Sequence, residues 1–219
     1  YNDLRDTYRR EILGQGDEQL EKNKFRVLEA LTRLRQAACH PRLIQKDLNN
    51  ESCKLDMVIP QILEVMEQGH KVLVFSQFTS FLALLRERLD ADKVNYEYLD
   101  GRTRKREEKV RNFQENDQCQ LFLISLKAGG TGLNLTKAEY VYILDPWWNP
   151  ATEAQAIDRA HRIGQTNKVF AYRVIAKGTI EEKILELQKS KKALADSILA
   201  DDQPGLRNLS REDLETLFS

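Results

Sequence analysis

The sequence predicts an α/β protein built on a parallel sheet with helices on both faces. Five short apolar segments have the length of buried strands: residues 71–76, 96–99, 121–125, 140–145 and 169–174. Segments with helical periodicity alternate with them, and this alternation is typical of strand-helix-strand units in a parallel sheet. Strands that lack polar alternation are usually buried on both faces. We therefore expect functional residues in the loops that follow the carboxyl ends of the strands.

Each predicted helix depends on apolar residues that recur three or four positions apart. The predicted helices cover residues 55–68, 78–89, 104–113, 151–163, 179–199 and 210–218. We expect Thr103 to cap the third of them. Asn149 is expected to cap the fourth, with Pro150 in the first helical position. Thr179 and Glu182 have the spacing of a capping box and indicate where the fifth begins.

The first fifty residues have the pattern of a separate, highly charged helical segment. Pro41 ends the helix that carries its apolar stripe, and the stripe consists of Phe25, Leu28, Leu31, Leu34 and Ala38. The predicted organisation is a helical segment over residues 1–50, an α/β domain over residues 51–199, and a tail over residues 200–219 that contains the last short helix.

The composition excludes several classes of protein. The chain has 219 residues, with 34 Lys and Arg against 34 Asp and Glu, so its formal net charge is zero. This balance argues against a protein that coats nucleic acid by bulk positive charge, but it is compatible with a local basic patch. The longest apolar runs have five residues, whereas a transmembrane helix needs about 20. We therefore expect no membrane span.

The cysteines favour a reducing compartment such as the cytoplasm. Cys39, Cys53 and Cys119 are odd in number, and no two of them have the C-x-x-C spacing. Zinc binding by Cys39, His40 and Cys53 is disfavoured, because structural zinc sites take four ligands in close pairs. The chain begins at Tyr1 rather than Met, and we expect it to be a fragment of a longer protein.

Three glycines in four residues follow the third predicted strand. This glycine loop, residues 125–134, reads Ser-Leu-Lys-Ala-Gly-Gly-Thr-Gly-Leu-Asn. Glycine lets backbone N–H groups approach a phosphate closely, and Ser125, Lys127 and Asn134 add further donors. The loop is not a Walker A sequence, because no Gly-Lys-Ser/Thr follows. A tight strand-to-helix turn that binds no ligand is the alternative interpretation.

One predicted helical face presents two guanidinium groups and an amide. Gln155, Arg159 and Arg162 lie at positions i, i+4 and i+7 of the helix predicted over residues 151–163. Such a face suits phosphate charge, although a solvated basic face is the alternative. The neighbouring apolar face consists of Ala156, Ala160 and Ile163.

Two more segments follow predicted strands. The tryptophan loop, residues 145–150, reads Asp-Pro-Trp-Trp-Asn-Pro. We expect one tryptophan to pack and the other to stand exposed, where it can contact sugars or bases; alternatively, both cap the edge of the domain. The basic run, residues 102–111, carries six basic residues against Glu107 and Glu108, and such runs are often solvated helix faces.

These segments, in this order, closely resemble the second lobe of the SWI/SNF-type helicases of superfamily 2. The resemblance covers roughly residues 25–195, and the glycine and tryptophan loops are similar to those of bacterial members. The glycine loop resembles motif V of that family. The other matching strings are Val74-Phe-Ser-Gln-Phe78 (motif IV), Leu99-Asp-Gly-Arg-Thr103, the tryptophan loop, and Gln155-Ala-Ile-Asp-Arg-Ala-His-Arg-Ile-Gly-Gln165 (motif VI).

The resemblance implies a RecA-like lobe of the P-loop NTPase type, with helical N- and C-terminal extensions. Members of the family are ATP-driven translocases on double-stranded DNA, and their ATP lies between two such lobes. The resemblance implies that Arg159 and Arg162 are arginine fingers, that Gln155 helps to place them, and that Gly130 and Gly132 shape the loop between ATP and DNA. The residues that it assigns to the nucleic acid are Ser76, Gln77, Ser125, Lys127, Asn134 and Trp148.

The chain departs from the family pattern in one respect. It contains no Gly-Lys-Thr phosphate loop and no Asp-Glu-Ala-His string, and in the family both belong to the first lobe. The resemblance therefore implies that ATP and Mg²⁺ are held mainly by a missing first lobe, from which residues 1–50 lead in. The implied partners are double-stranded DNA and that N-terminal lobe. The fragment alone is expected to be inactive as an ATPase. The implied location is a bacterial nucleoid or a eukaryotic nucleus.

Other classes of function compete with this interpretation. A non-catalytic nucleic-acid-binding module would bind duplexes without any role for ATP. A self-contained α/β enzyme that uses Asp100 or Asp145 would need a pocket with a perturbed carboxylate. An RNA-unwinding helicase is a third alternative, against which the tryptophan loop argues.

Overall fold

A computed structural model describes residues 1–14, 24–48, 52–129, 132–161, 165, 167–190 and 209–219. The chain divides into two compact units. The first, here called the helical unit, combines Tyr1–Asn50 with Ile175–Ser219, and the second, the sheet unit, is Glu51–Val174.

The helices and strands have the following bounds. The helices are α1 (Asn2–Leu13), α2 (Lys24–Cys39), α3 (Cys53–Glu67), α4 (Thr79–Ala91), α5 (Arg106–Glu115), α6 (Leu126–Gly129), α7 (Pro150–Ile157), α8 (Ile180–Ser190) and α9 (Arg211–Leu217), with a 3₁₀ turn at Pro41–Leu43. The strands are β1 (Lys71–Ser76), β2 (Tyr96–Leu99), β3 (Leu121–Ser125), β4 (Ala138–Ile143) and β5 (Phe170–Arg173).

The sheet unit confirms the predicted α/β class. Its five strands form one parallel sheet in the order β2-β3-β1-β4-β5. Every residue of the central strands β1 and β3 is buried, as expected for strands without polar alternation. The edge strand β5 is exposed at each of its residues. Because β1 lies between β3 and β4 and the strands are parallel, the carboxyl ends of β1, β3 and β4 are neighbours at one edge of the sheet.

A cluster of buried apolar side chains holds the helices against one face of the sheet. Leu73, Phe75 and Phe122 contribute from the strands, Phe113 from α5 and Ala156 from α7. Each fully buried Leu or Phe side chain of the cluster stabilises the fold by about 1.5–3 kcal/mol, because its apolar surface is removed from water. The cluster therefore fixes α5 and α7 relative to the strands whose ends they flank.

Helix α7 begins as predicted but ends earlier. The side chain of Asn149 accepts a hydrogen bond from the Ala151 N–H, and Pro150 occupies the first turn, which confirms the predicted cap. The helix was predicted to continue to residue 163, whereas it ends at Ile157. In the turn that follows, the carbonyl of Arg159 accepts from the N–H of Leu135, at 3.0 Å, in the loop before β4, so a partner outside the helix takes the acceptor that a further helical turn would use.

Two predicted helix caps differ in detail. Thr103 does not cap α5, because its hydroxyl donates to the Asp100 side chain at 3.0 Å and the helix begins only at Arg106. Helix α8 begins where predicted, but its bonds are shifted by one residue from a capping box. The hydroxyl oxygen of Thr179 accepts from the N–H of Glu181 at 3.2 Å, and the carboxylate of Glu182 accepts from the N–H of Gly178 at 2.7 Å.

The predicted apolar stripe of α2 is wrong at its first member. Leu31 and Leu34 are buried, but Phe25 is 88% exposed. Residues that recur strictly every third position rotate around a helix, because each step covers about 300° rather than a full turn. Phe25 therefore lies on the side opposite Leu34, and Val27 and Ala30 take the buried positions in the first turns.

The helical unit differs from the predicted domain limits. It groups α8 and α9 with the N-terminal helices, whereas the predicted α/β domain extends to residue 199. Within this unit the hydroxyl of Tyr1 accepts from the N–H of Ile180 at 2.6 Å. Glu181 is fully buried and accepts from the N–H of Ala176 at 2.8 Å. These contacts fix the start of α8 within the helical unit.

The predicted short C-terminal helix is confirmed as α9, which Ser210 and Asp213 start with a complete capping box. The described helices include none that is long and apolar enough to cross a membrane.

Candidate functional site

The candidate site lies where the parallel strands of the sheet unit end. Ser76 closes β1 and Ser125 closes β3, and the two are register partners in the sheet. Asp145 follows β4 and accepts a hydrogen bond from the hydroxyl of Ser76. Three of the segments singled out in the sequence therefore meet at one edge of the sheet.

Asp145 is a buried carboxylate that organises the loop after β1. It is fully buried and accepts from the backbone N–H of Gln77, at 3.3 Å from each carboxylate oxygen, as well as from Ser76. The hydroxyl oxygen of Ser76 accepts in turn from the N–H of Phe78 at 3.0 Å. A buried carboxylate needs such donors, because burial without them is strongly destabilising. The side chain of Ser76 thus supports the loop from inside, and Gln77 is half-buried.

The glycine loop begins with the single turn of α6. Ser125 is buried, and its hydroxyl oxygen accepts from the N–H of Ala128 at 3.4 Å. The side chain of Lys127 is exposed. Arg106, the first residue of α5, donates to the carbonyl of Ala128 at 2.6 Å. Lys127 therefore stands on a turn that is held from the strand and from a neighbouring helix.

The rest of the glycine loop is described in part. Gly132 has φ +56°, in the left-handed region that glycine enters at little steric cost. Asn134 is exposed. Gly130 lies outside the described residues.

The tryptophan loop is attached to the sheet and to α7. Both tryptophans are half-buried, so neither is as exposed as predicted for one of them, and Trp147 packs against the core cluster as predicted for the other. The N–H of Trp147 donates to Glu153 at 2.7 Å. Glu153 is fully buried and also accepts from Nε of Arg173 in β5. Burial raises the pKa of Glu153, and the donors from Trp147 and Arg173 oppose that rise.

Of the predicted face of Gln155, Arg159 and Arg162, the structure describes the first two, and they do not lie on one helix. Gln155 is exposed in the last turn of α7. Arg159 is half-buried in the turn that follows, where its carbonyl binds Leu135. Arg162 lies outside the described residues. The predicted apolar neighbours Ala156 and Ala160 are buried, and Ile163 also lies outside the described residues.

The loop after β2 has its own internal bonds. Asp100 accepts from the N–H of Arg102 at 2.9 Å and from the hydroxyl of Thr103 at 3.0 Å. Burial tends to raise the pKa of Asp100, but these hydrogen bonds outweigh it and hold the pKa below its ordinary value. Tyr98 donates to the same carboxylate at 3.1 Å. These bonds make Asp100 a loop-forming residue.

The basic run is partly neutralised. Lys105 pairs with Glu108 at 3.0 Å and Lys109 with Glu97 at 2.6 Å. Arg102 and the rest of the loop before α5 are largely exposed. The expectation that part of the run is an ordinary solvated helix face therefore agrees with these pairs.

Sequence reasoning missed three residues that shape the site. Asp145 and Glu153 were not recognised as internal acceptors, and Arg106 was read only as part of a charge run. The available signal was the position of two acidic residues: Asp145 follows a strand end, and Glu153 lies in the first turn of a helix. The sequence cannot reveal their donors, because Gln77 and Arg173 are distant along the chain.

The cysteines and the other potential metal ligands form no candidate metal site among the residues that the structure describes. In that part of the chain no group of three or more His, Cys, Asp or Glu side chains could hold a metal ion. Cys39 and Cys119 are buried and Cys53 is exposed, and none of these three described cysteines is in a disulfide.

The parallel sheet with its loops at the strand ends defines a RecA-like α/β lobe. The family described as the helicase conserved C-terminal domain matches residues 53–164. The chain belongs to this family, and the resemblance to the SWI2/SNF2 branch is confirmed by its similarity to the proteins described next.

One relative and two solved structures illustrate the similarity. An uncharacterized ATP-dependent helicase of Mycoplasma genitalium is 37% identical over 201 residues, which are 90% of this chain and 19% of that protein. A Sulfolobus solfataricus SWI2/SNF2 ATPase core in complex with double-stranded DNA is 30% identical with a TM-score of 0.80, over 99% of this chain and 46% of that one. The C-terminal domain of a Sulfolobus solfataricus SWI2/SNF2 ATPase is 27% identical with a TM-score of 0.77, over 99% of this chain and 90% of that one.

The chain spans 17–19% of the length of the first curated relatives that it matches.

Proposed function

We propose that this chain is the second motor lobe of an ATP-dependent translocase or remodeller that acts on double-stranded DNA. One observation supports the proposal above the others: the backbone bond between Leu135 and Arg159 joins the residue directly after the glycine loop to the turn after α7. The segment suited to phosphates of DNA is thereby connected through the main chain to the segment suited to phosphates of a nucleotide.

On the DNA side, exposed and half-exposed groups make the contacts. Lys127 and Asn134 are exposed, and Gln77 and Trp148 are half-buried. Ser76 and Ser125, which the resemblance also assigns to DNA, hold the backbone of their loops from within. Contacts of this kind bind the phosphate backbone without reading sequence, which suits a protein that moves along a duplex.

On the nucleotide side, Arg159 and Arg162 act as arginine fingers, with Gln155 and the glycines Gly130 and Gly132 shaping their surroundings. ATP and Mg²⁺ are bound mainly by a first lobe of the same polypeptide, and the bound nucleotide supplies the phosphoryl group that is transferred to water. A guanidinium stabilises the charge that spreads over the γ-phosphate and can contribute about 10³–10⁵ in rate. Because it has to be delivered by closure of the lobes, hydrolysis is coupled to motion.

The proposal has consequences for organisation and location. As functional segments, distinct from the two packing units, residues 1–50 lead in from the first lobe, residues 51–199 are the lobe, and residues 200–219 are a tail. The protein acts at the chromosome, in a bacterial nucleoid or in a nucleus. A bacterial source is a prediction from the sequences of the glycine loop and the tryptophan loop.

The direct test of the division between lobes is an ATPase assay. The 219-residue chain is expected to show no turnover, with or without duplex DNA, while the longer polypeptide that carries it hydrolyses ATP and is stimulated by the duplex. Robust turnover by the chain alone would contradict the proposal.

The arginine assignment is tested in the longer polypeptide. Arg159→Ala and Arg162→Ala are each expected to lower hydrolysis by about 10³-fold or more, with duplex affinity largely retained. If DNA binding were lost as well, these arginines would be contacts to DNA. That result would favour a nucleic-acid-binding module without a role for ATP.

A further inference from the structure

Glu153 is the single charged residue of α7, and it is fully buried, yet the proposed function gives it no role. It lies in the first turns of the helix, with none of its surface exposed. Carboxylates are almost never fully buried without partners, because they lose their hydration. The position of its donors therefore indicates what the residue does.

The two oxygens of Glu153 serve two different elements. Oε1 accepts from the backbone N–H of Trp147 at 2.7 Å, and Oε2 accepts from Nε of Arg173. The first donor belongs to the tryptophan loop and the second to the edge strand β5. Hydrogen bonds to a charged group are stronger and more directional than neutral ones, so α7, the loop and the strand hold one another in place.

The connection extends from the tryptophan loop to Arg159. Trp148 follows the residue that Glu153 binds, and Arg159 lies two residues after the other end of α7. An eight-residue helix with a packed apolar face transmits displacement along its axis, because its buried side chains cannot slide independently. A shift of the loop is thereby passed to the arginine.

We propose that Glu153 is a positioning residue that couples the tryptophan loop to Arg159, so that DNA contact at the loop sets the placement of the arginine at the nucleotide. The coupling rests on the proposed function, because it assigns DNA to one end and ATP to the other. It goes further, because it names the side chain through which the two sites communicate.

The first test uses the 219-residue chain and needs neither ATP nor DNA. Trp147 and Trp148 are its only tryptophans, so intrinsic emission reports on the tryptophan loop alone. Glu153→Gln and Arg173→Met are expected to shift the emission maximum and increase quenching by acrylamide. Emission identical to that of the unmodified chain in both variants would overturn the positioning role.

The matched control is Lys71→Met. Lys71 is also a buried charge, and it donates to backbone carbonyls, among them that of Asn116 at 2.8 Å. It lies at the amino end of β1, at the opposite end of the strands from the tryptophan loop. Its loss is expected to lower the melting temperature without changing tryptophan emission.

The second test measures coupling in the longer polypeptide. Glu153→Gln is expected to reduce stimulation of ATP hydrolysis by duplex DNA about tenfold, the effect of one lost hydrogen bond to a charged group. Basal hydrolysis and duplex affinity are expected to change much less than the stimulation, because the proposal gives Glu153 no contact of its own with nucleotide or DNA. Arg173→Met reproduces part of the effect if Glu153→Gln fails to fold.

The outcomes separate the two proposals. If Glu153→Gln lowers basal and stimulated hydrolysis equally, or no more than Lys71→Met does, the residue is merely structural and the inference is wrong. If the unmodified polypeptide shows no DNA-stimulated hydrolysis, the proposed function fails instead. In that case the emission test still decides whether Glu153 positions the loop.

Discussion

The backbone N–H of Leu135 donates to the carbonyl oxygen of Arg159 at 3.0 Å. The bond joins main chain to main chain, so it survives a change of the Arg159 side chain. Arg159→Ala therefore removes the guanidinium and leaves the turn attached to Leu135, the residue directly after the glycine loop. For this reason the loss of hydrolysis in that variant reports on charge at the nucleotide rather than on collapse of the loop.

The carboxylate of Asp145 is expected to be a stability determinant of the sheet unit. Asp145→Asn keeps the volume but replaces one acceptor oxygen by an amide that cannot accept from Ser76 or Gln77. Urea denaturation is expected to show a loss of about 1–3 kcal/mol in the free energy of unfolding, the cost of weakened bonds to a buried charged group. Ser76→Ala removes the donor to Asp145 and the acceptor for the Phe78 N–H, but it leaves the carboxylate and its bonds to Gln77 in place and serves as the smaller change. A loss in Asp145→Asn no greater than in Ser76→Ala would contradict this view of the carboxylate.

Lys127 is expected to bind duplex phosphate. Lys127→Ala removes one exposed charge beside the strand ends, so duplex affinity of the 219-residue chain should fall. The slope of log K against log salt concentration should lose about one unit, as for one phosphate contact. Fluorescence anisotropy over a salt series measures both quantities.

Lys137→Ala provides the control for that experiment. Lys137 is exposed as well, but it precedes β4 and so lies at the amino ends of the strands. The same affinity loss and the same slope in both variants would show that binding is spread over the surface, not directed to the glycine loop.

The central part of the fold could be read from the sequence because the signals there are local. Uninterrupted apolar runs predicted β1 and β3, and the N-cap of α7 followed from Asn149 and Pro150. The end of α7 could not be predicted, because helical periodicity continues through Arg159 while a partner in another loop takes its carbonyl. The same limit applies to Glu153, since its donor Arg173 is brought close only by the parallel pairing of the strands.

The loop after β2 is expected to lose stability in acid. The folded pKa of Asp100 lies below its ordinary value of 3.8, so the folded chain binds fewer protons there than the unfolded chain. The stabilisation is therefore present above pH 3.8 and is lost as the pH falls through the folded pKa. Unfolding of Asp100→Asn should differ from the unmodified chain at neutral pH by about 1 kcal/mol, the net contribution of one hydrogen bond, and the difference should shrink in acid. Asp92→Asn, at an exposed position, is the control, and a difference for Asp100→Asn that stays constant across the series would contradict the assignment.

The two ends of the α2 stripe are expected to respond differently to substitution. Leu34 is fully buried and Phe25 is 88% exposed. Leu34→Ala should lower the free energy of unfolding by about 2–5 kcal/mol, because it leaves a cavity in the helical unit. Phe25→Ser should change it by no more than about 0.5 kcal/mol, as for most surface positions. Urea denaturation of both variants decides the point. A loss at Phe25 comparable to that at Leu34 would mean that the phenylalanine is buried in the folded chain, as its spacing first suggested.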